Sequence, residues 1–221
     1  MKSPLTLVKS LLAVAGVAAL SAISAAPASA FSFSNIPGGA TSGDALVSSL
    51  RLDINNQGPY VILKILNLGN AAASEMFIRQ VVIHDINGIL SSPSVNFGNV
   101  GPVAFSSSNG NGNLPQGGNS FTTAYSFTGD PGGANVNSIQ AGETLGLRFI
   151  GNYNNAVTAY NIGALKVGIH LQGLPNGGSD SYISSGNTQD TPEPLTMLAA
   201  GAAVGFGTMF KKQRERAQKA E

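Results

Sequence analysis

An all-β fold, with antiparallel sheets packed as a β-sandwich or jelly roll, is what the sequence predicts between residues 31 and 183, and three observations predict it. Apolar residues there recur at period two more often than at 3.6, the mark of half-buried strands. Clusters of Asn, Gly and Pro separate the alternating runs. Cysteine is absent, so neither a disulfide framework nor a thiolate metal site is available and stability must come from packed faces.

Residues 1–30 read as an export leader. Lys2 and Lys9 precede an apolar stretch at 11–23, and Ala28-Ser29-Ala30 supplies the small residues a signal peptidase needs, predicting cleavage before Phe31. An uncleaved signal anchor is the competing reading; the A-x-A end and the break at Pro27 argue for removal. Beyond it, Leu50, Leu52 and Ile54 alternate with Arg51 and Asp53, and Val61, Leu63 and Ile65 continue the pattern. Phe121, Thr123, Tyr125 and Phe127 form a third run, Leu145, Leu147 and Phe149 a fourth, and Leu165, Val167, Ile169 and Leu171 a fifth. Turns are expected at 55–59, 129–133 and 175–178, and Asn87-Gly88 is the clearest hairpin candidate, because both residues tolerate a type I′ turn. Eight or so short strands result, with one short helix at 153–164. Residues 106–119 carry too little apolar surface to offset ordering entropy and read as loop, and 184–191 read as a spacer.

The domain is one unit of about 160 residues. It carries five basic residues against eight acidic ones, a net of −3, so the whole-chain value of +1 belongs to the two terminal segments. No basic patch supports nucleic-acid binding.

The tail has three parts in order. Pro192-Glu193-Pro194 comes first, residues 195–210 (LTMLAAGAAVGFGTMF) follow without one ionisable side chain, and Lys211-Lys212-Gln213-Arg214-Glu215-Arg216 closes the run. Sixteen residues at ~1.5 Å each make roughly 24 Å of helix, short of the ~30 Å hydrocarbon core. The basic cluster resists translocation and stays cytoplasmic, so the globular part lies on the far side. Gly201, Gly205 and Gly207 weaken the helix further, which suits a segment held briefly for processing. An ordinary single-pass anchor, with Gly201-x-x-x-Gly205 as a dimerisation face, is the alternative.

This tail resembles the PEP-CTERM sorting signal of exported Gram-negative bacterial proteins, and EPLTMLAAGAAVGFGTMFKK is most like its cyanobacterial version. The resemblance implies that Pro192, Glu193 and Pro194 are the motif recognised by exosortase, a membrane-embedded cysteine transpeptidase-like enzyme. It also implies coupling to exopolysaccharide production. The blocks LRLDINNQGPYVILKILNLG, FIRQVVIHDINGIL, NLPQGGN, AGETLGLRF and LKVGIHLQGLPNGGSDSYIS resemble cyanobacterial PEP-CTERM proteins across most of the domain, a resemblance that implies no activity.

Patterns for chemistry are sparse. His84 and His170, the only histidines, stand outside metal-binding frames and read as exposed structural residues. Asp53-Ile54-Asn55-Asn56-Gln57-Gly58 starts like a calcium loop, but position twelve is Lys64 where a bidentate carboxylate belongs. A different calcium site, using Asp130 or Asp180 with loop carbonyls, stays open. No G-x-S-x-G elbow is present, Ser179 and Ser181 lack a base nearby in sequence, and carboxylate spacing favours no glycosidase pair.

The expected product is therefore a non-catalytic protein without cofactor, at the cell surface, the outer membrane or outside the cell after a transient inner-membrane stage. Its expected partners are the secretion machinery, signal peptidase, an exosortase-type transpeptidase and exopolysaccharide, with membrane contact through the tail helix before processing. A carbohydrate-binding module is the alternative, with Tyr153, Tyr160 and Tyr182 as ring platforms, although Trp is absent. A secreted hydrolase comes third.

Overall fold

A computed structural model of the chain describes residues 28–36, 41, 43–69, 76–108, 112–118, 121–130, 135–174, 177–184 and 186. Most of the leader, and the whole tail with Pro192, Glu193 and Pro194, lie outside these residues.

Alternation produces strands where it is sustained. β1 (Ala28–Ser32), β2 (Ser34–Asn35), β3 (Leu50–Gln57), β4 (Tyr60–Asn67), β5 (Phe77–Asp85), β6 (Ser91–Val95), β7 (Phe105–Ser107), β8 (Tyr125–Gly129), β9 (Thr144–Ile150), β10 (Leu165–Leu174) and β11 (Gly178–Ser184) are joined by a 3-10 helix (Asp44–Ser49) and one α-helix, α1 (Tyr153–Asn161). The strands form two antiparallel sheets, ordered β1-β3-β4-β9-β6 and β2-β11-β10-β5-β8-β7. Inward residues of both sheets, among them Leu52, Leu63, Leu147, Val81, Val167 and Ile169, meet in one buried cluster, a sandwich-like arrangement. Four of the five expected runs are strands. The third run, 121–127, starts late, at Tyr125.

Two expected turns are corrected. The 55–59 turn shrinks to Gly58-Pro59, because β3 runs through Gln57 and pairs it with Tyr60. Gly58 has φ +63 and proline fixes a negative φ after it, the pattern of a two-residue type II′ hairpin. Asn87-Gly88 makes no hairpin, since β5 pairs with β10 and β8 whereas β6 pairs with β9 in the other sheet. The Asp85 carboxylate decides the path: it accepts the Ile89 and Leu90 N–H groups at 3.1 and 2.9 Å, turning the chain across the core, where Leu90 is buried.

α1 carries the chain back from β9 to β10. Asn152 caps its start by accepting the Asn155 N–H at 3.1 Å. At its end the N–H groups of Gly163 and Ala164 reach the carbonyls of Tyr160 and Ala159, a Schellman closure. Ala156, Ala159 and Tyr160 are its buried face.

The described residues of the 106–119 stretch, 106–108 and 112–118, include seated ones. Ser106 and Ser107 extend β7, and Leu114, with Phe121, packs on Val82 and Ile36 over the outer face of the six-stranded sheet. Gly168 leaves room for both side chains there. β11 also takes in Ser184, counted in sequence as spacer.

Candidate functional site

The expected cleavage residues are built into a strand. Ala28, Ala30 and Phe31 pair with Asn55, Asp53 and Leu52, the Phe31 ring points into the core, and Ser29 Oγ lies 3.0 Å from the Tyr153 hydroxyl.

Two of the three tyrosines proposed as sugar platforms are corrected by burial. Tyr160 and Tyr182 are both 0% exposed, so neither offers a ring face to a ligand. Each is spent on internal bonds. Tyr182 donates to Asp180 Oδ2 at 3.0 Å, and Asp180 Oδ1 accepts the Ser181 N–H at 2.8 Å. Tyr160 bonds Ser184 Oγ, which donates to the Ser32 carbonyl at 2.8 Å. Burial pushes the Tyr160 phenol up to about 12, against the opposing pull of Ser184, and raises that of Tyr182 further with help from Asp180. Tyr153 is half-buried at the start of α1, where its hydroxyl meets Ser29.

The histidines are not exposed either. His84 is only 5% exposed, with its ring beside Phe121 and its Nδ1 2.9 Å from both backbone groups of Thr122. Half-buried His170 sits on the same outer sheet face, because its register partner Gln80 and His84 both lie on β5 four residues apart. Its Nδ1 lies 2.9 Å from Ser181 Oγ. Sequence spacing gave Ser181 no nearby base; the β10–β11 pairing supplies one, and only that register could have revealed it. Ser181 exposes no surface, so the contact serves as a cross-strand tie and no substrate carbonyl reaches the hydroxyl. Desolvation lowers the pKa of both imidazoles.

The calcium-like stretch is strand, not loop, and Asp53 is held by Arg51 at 2.8 Å. Asp180 is buried within its bonds to Ser181 and Tyr182. Among the described residues no group of three or more His, Cys, Asp or Glu side chains is placed to hold a metal ion.

Two features escaped the sequence reading. Over the six-stranded sheet, Asn113, Leu114, Pro115, Gln116, Gly118 and Phe121 line a concavity of about 550 Å³. On the outside of the five-stranded sheet, the Arg148 guanidinium lies between two rings, 4.7 Å from the centroid of Tyr60 and 4.5 Å from that of Phe97. Alternation places Tyr60 and Arg148 on one outer face, but Phe97 arrives from a turn that no periodicity announces. Comparison with protein-family models, curated proteins and solved structures finds no match for this chain.

Proposed function

We propose that the chain is an exported, non-catalytic protein of the cell surface or extracellular matrix, structural or adhesive in role and associated with exopolysaccharide. Its fold would be a β-sandwich or jelly roll over 31–183, between a signal peptide and a short transmembrane sorting helix. The observation that carries this reading is the ordered tail, Pro192-Glu193-Pro194, then the uncharged 195–210, then the basic 211–216. The leader at the other end supports it.

The layout of the domain is compatible with processing at both ends. Ser32 and Ser184 are joined by a hydrogen bond, so a chain cut before Phe31 would begin beside the end of β11. The chemically versatile side chains His84, His170, Asp180 and Ser181 are engaged in internal bonds, which favours a non-catalytic role.

The deciding experiment is intact mass and terminal sequencing of the protein from envelope and medium, in cells with and without the exosortase-type enzyme. A product beginning at Phe31 and ending near Pro192 to Pro194 only when the enzyme is present is the expected result. Retention of 211–221 in both strains would make the tail a permanent anchor and overturn the sorting reading. A glycan-binding role, the second reading, loses Tyr160 and Tyr182 but gains support from Arg148 and its two rings.

A further inference from the structure

Arg148 is a prepared cation. The chain after β6 folds back so that the Phe97 N–H donates to the Gly146 carbonyl at 2.8 Å, while Asn99 Oδ1 accepts the Gly146 N–H at 2.9 Å. A side chain at Gly146 would run into the Phe97 carbonyl, so the residue's lack of a Cβ is what lets Phe97 lie on this face. Asn96 fixes the same turn from the other side, bonding both backbone groups of Phe105 at 2.8 and 3.0 Å. Tyr60 enters from the start of β4. The guanidinium is thus held between rings by two independent segments, and it meets no hydrogen-bond acceptor among the described residues.

A packing role explains only part of this. The Arg148 stem shields Ile62, its register partner, which is 4% exposed although it points outward. Packing does not require the guanidinium to keep its N–H donors free. The two rings, at 4.7 and 4.5 Å, hold the guanidinium in place while its N–H donors stay available to a carboxylate.

Charge on this face is opposite to that of the domain. Arg51, Lys64 and Arg148 stand here against Asp53, three of the five basic residues in a domain of net −3. Asp53 is taken by Arg51, at 2.8 and 2.9 Å, although it also faces Lys64 across the strand pair. Lys64 pairs with Gly146, two residues from Arg148, making Lys64 and Arg148 diagonal neighbours whose backbone positions lie about 7–8 Å apart.

From this we infer that the outer face of the five-stranded sheet binds an acidic polysaccharide, with Arg148 and Lys64 taking carboxylates of the chain and Tyr60 and Phe97 giving apolar surface to its sugar rings. The inference rests on the adhesive reading for its setting but not on how the tail is processed. Nucleic acid fits less well, because affinity for polyphosphate scales with the number of phosphates neutralised and this face, among the described residues, offers only Lys64 and Arg148 beyond the Arg51–Asp53 pair. An anionic membrane would also use the Ile150 side chain, 48% exposed beside Tyr60, so vesicle retention is the outcome that separates it from a polysaccharide.

The test is retention of the full chain, in mild detergent, on immobilised polygalacturonate, with dextran, duplex DNA and phosphatidylglycerol vesicles compared. Arg148→Ala, Arg148→Lys and Lys64→Glu are measured beside the wild type, with thermal melts to show that each remains folded. Residues 211–216 are present in every variant, so the differences between variants report the face alone. Expected are salt-sensitive retention on polygalacturonate, none on dextran, and a loss of roughly tenfold or more for Arg148→Ala and for Lys64→Glu. Arg148→Lys keeps the charge but not the planar fork, and is expected to recover only part of the loss. Unchanged retention in Arg148→Ala and Lys64→Glu would overturn the inference, as would equal retention on dextran or a stronger dependence on these residues for DNA or vesicles. Because Lys64 is a half-exposed side chain, its variant stays informative even if Arg148→Ala fails to fold. Loss of the sorting reading would leave all of these outcomes unchanged.

Discussion

The Phe31 ring lies tilted against that of Tyr160, with centroids 4.1 Å apart and no surface of either residue exposed. This contact fastens the start of the domain to α1, and the Tyr160 hydroxyl extends it to Ser184 at the end of β11. Phe31→Ala removes a buried ring from a closed core, so a loss of about 3–5 kcal/mol is expected, against about 1 for Phe31→Leu. Urea unfolding of both variants checks the order. Equal, small losses would mean that the β1 strand is peripheral to stability.

The same contact bears on where the leader is cut. Cleavage before Phe31 leaves two of the five β1–β3 pairs, Phe31 with Leu52 and Ser32 with Arg51. A chain starting at Ala28 keeps all five and regains the Ser29–Tyr153 contact. It is expected to be more stable by about 1 kcal/mol. Comparing melts of the two purified forms measures the difference, and a more stable Phe31 form would contradict the strand's contribution.

Much of the fold was legible because alternation maps directly onto half-buried strands, as β3, β4, β9 and β10 show. What escaped depended on partners distant in sequence. Asn87-Gly88 has good hairpin chemistry, yet Asp85 redirects the chain to the opposite sheet by bonding two backbone N–H groups, and no local propensity encodes that. Tyr182 was a ring candidate by residue type, but strand parity aims it at the core and Asp180 accepts its hydrogen bond there. Phe97 was invisible as a ring beside Arg148, since its place depends on Gly146, about a third of the domain away in sequence.

Acid should weaken the fold through its two histidines. Burial is the main cause that lowers both pKa values. Lys166 lowers that of His84 further while Thr122 and Asp85 oppose it, and Asp180 opposes the shift of His170. The unfolded chain, with imidazoles near 6.5, then binds more protons than the folded one in the window below that value. Their stabilising contribution is complete above about pH 6.5 and is lost as pH falls through it toward the depressed folded values. Melting temperature is expected to decline on that side, and to decline less steeply in a His84→Gln, His170→Gln double variant. A melting temperature that rises on acidification from neutral pH would refute this.

At the alkaline end the sign is reversed. Tyr160 ionises near 12 when folded, and near 10 when unfolded, so the folded chain holds the extra proton between them. Stability from this group is complete below about pH 10 and is lost as pH rises toward 12. Tyr182 and Tyr125, both raised mainly by burial, act in the same direction. Tyrosinate absorbance should therefore lag and then rise together with loss of β-structure, and Tyr160→Phe should soften that slope. Ionisation of all five tyrosines in a protein that keeps its circular dichroism would count against it.

Asp85 gives the sharpest test of how the two sheets are connected. Its two carboxylate oxygens each accept one N–H, from Ile89 and Leu90, at a crossover with little room for water because Asp85 and Leu90 are buried. Asp85→Ala orphans both donors, and Asp85→Asn sets an amide donor against one of them. Either change is expected to cost about 1–3 kcal/mol, and the backbone amides of Ile89 and Leu90 should exchange with solvent faster. Hydrogen exchange resolved to those residues is the measurement. Global destabilisation with their protection unchanged would show that Asp85 acts through β5 alone, and that the crossover is held by Leu90 packing instead.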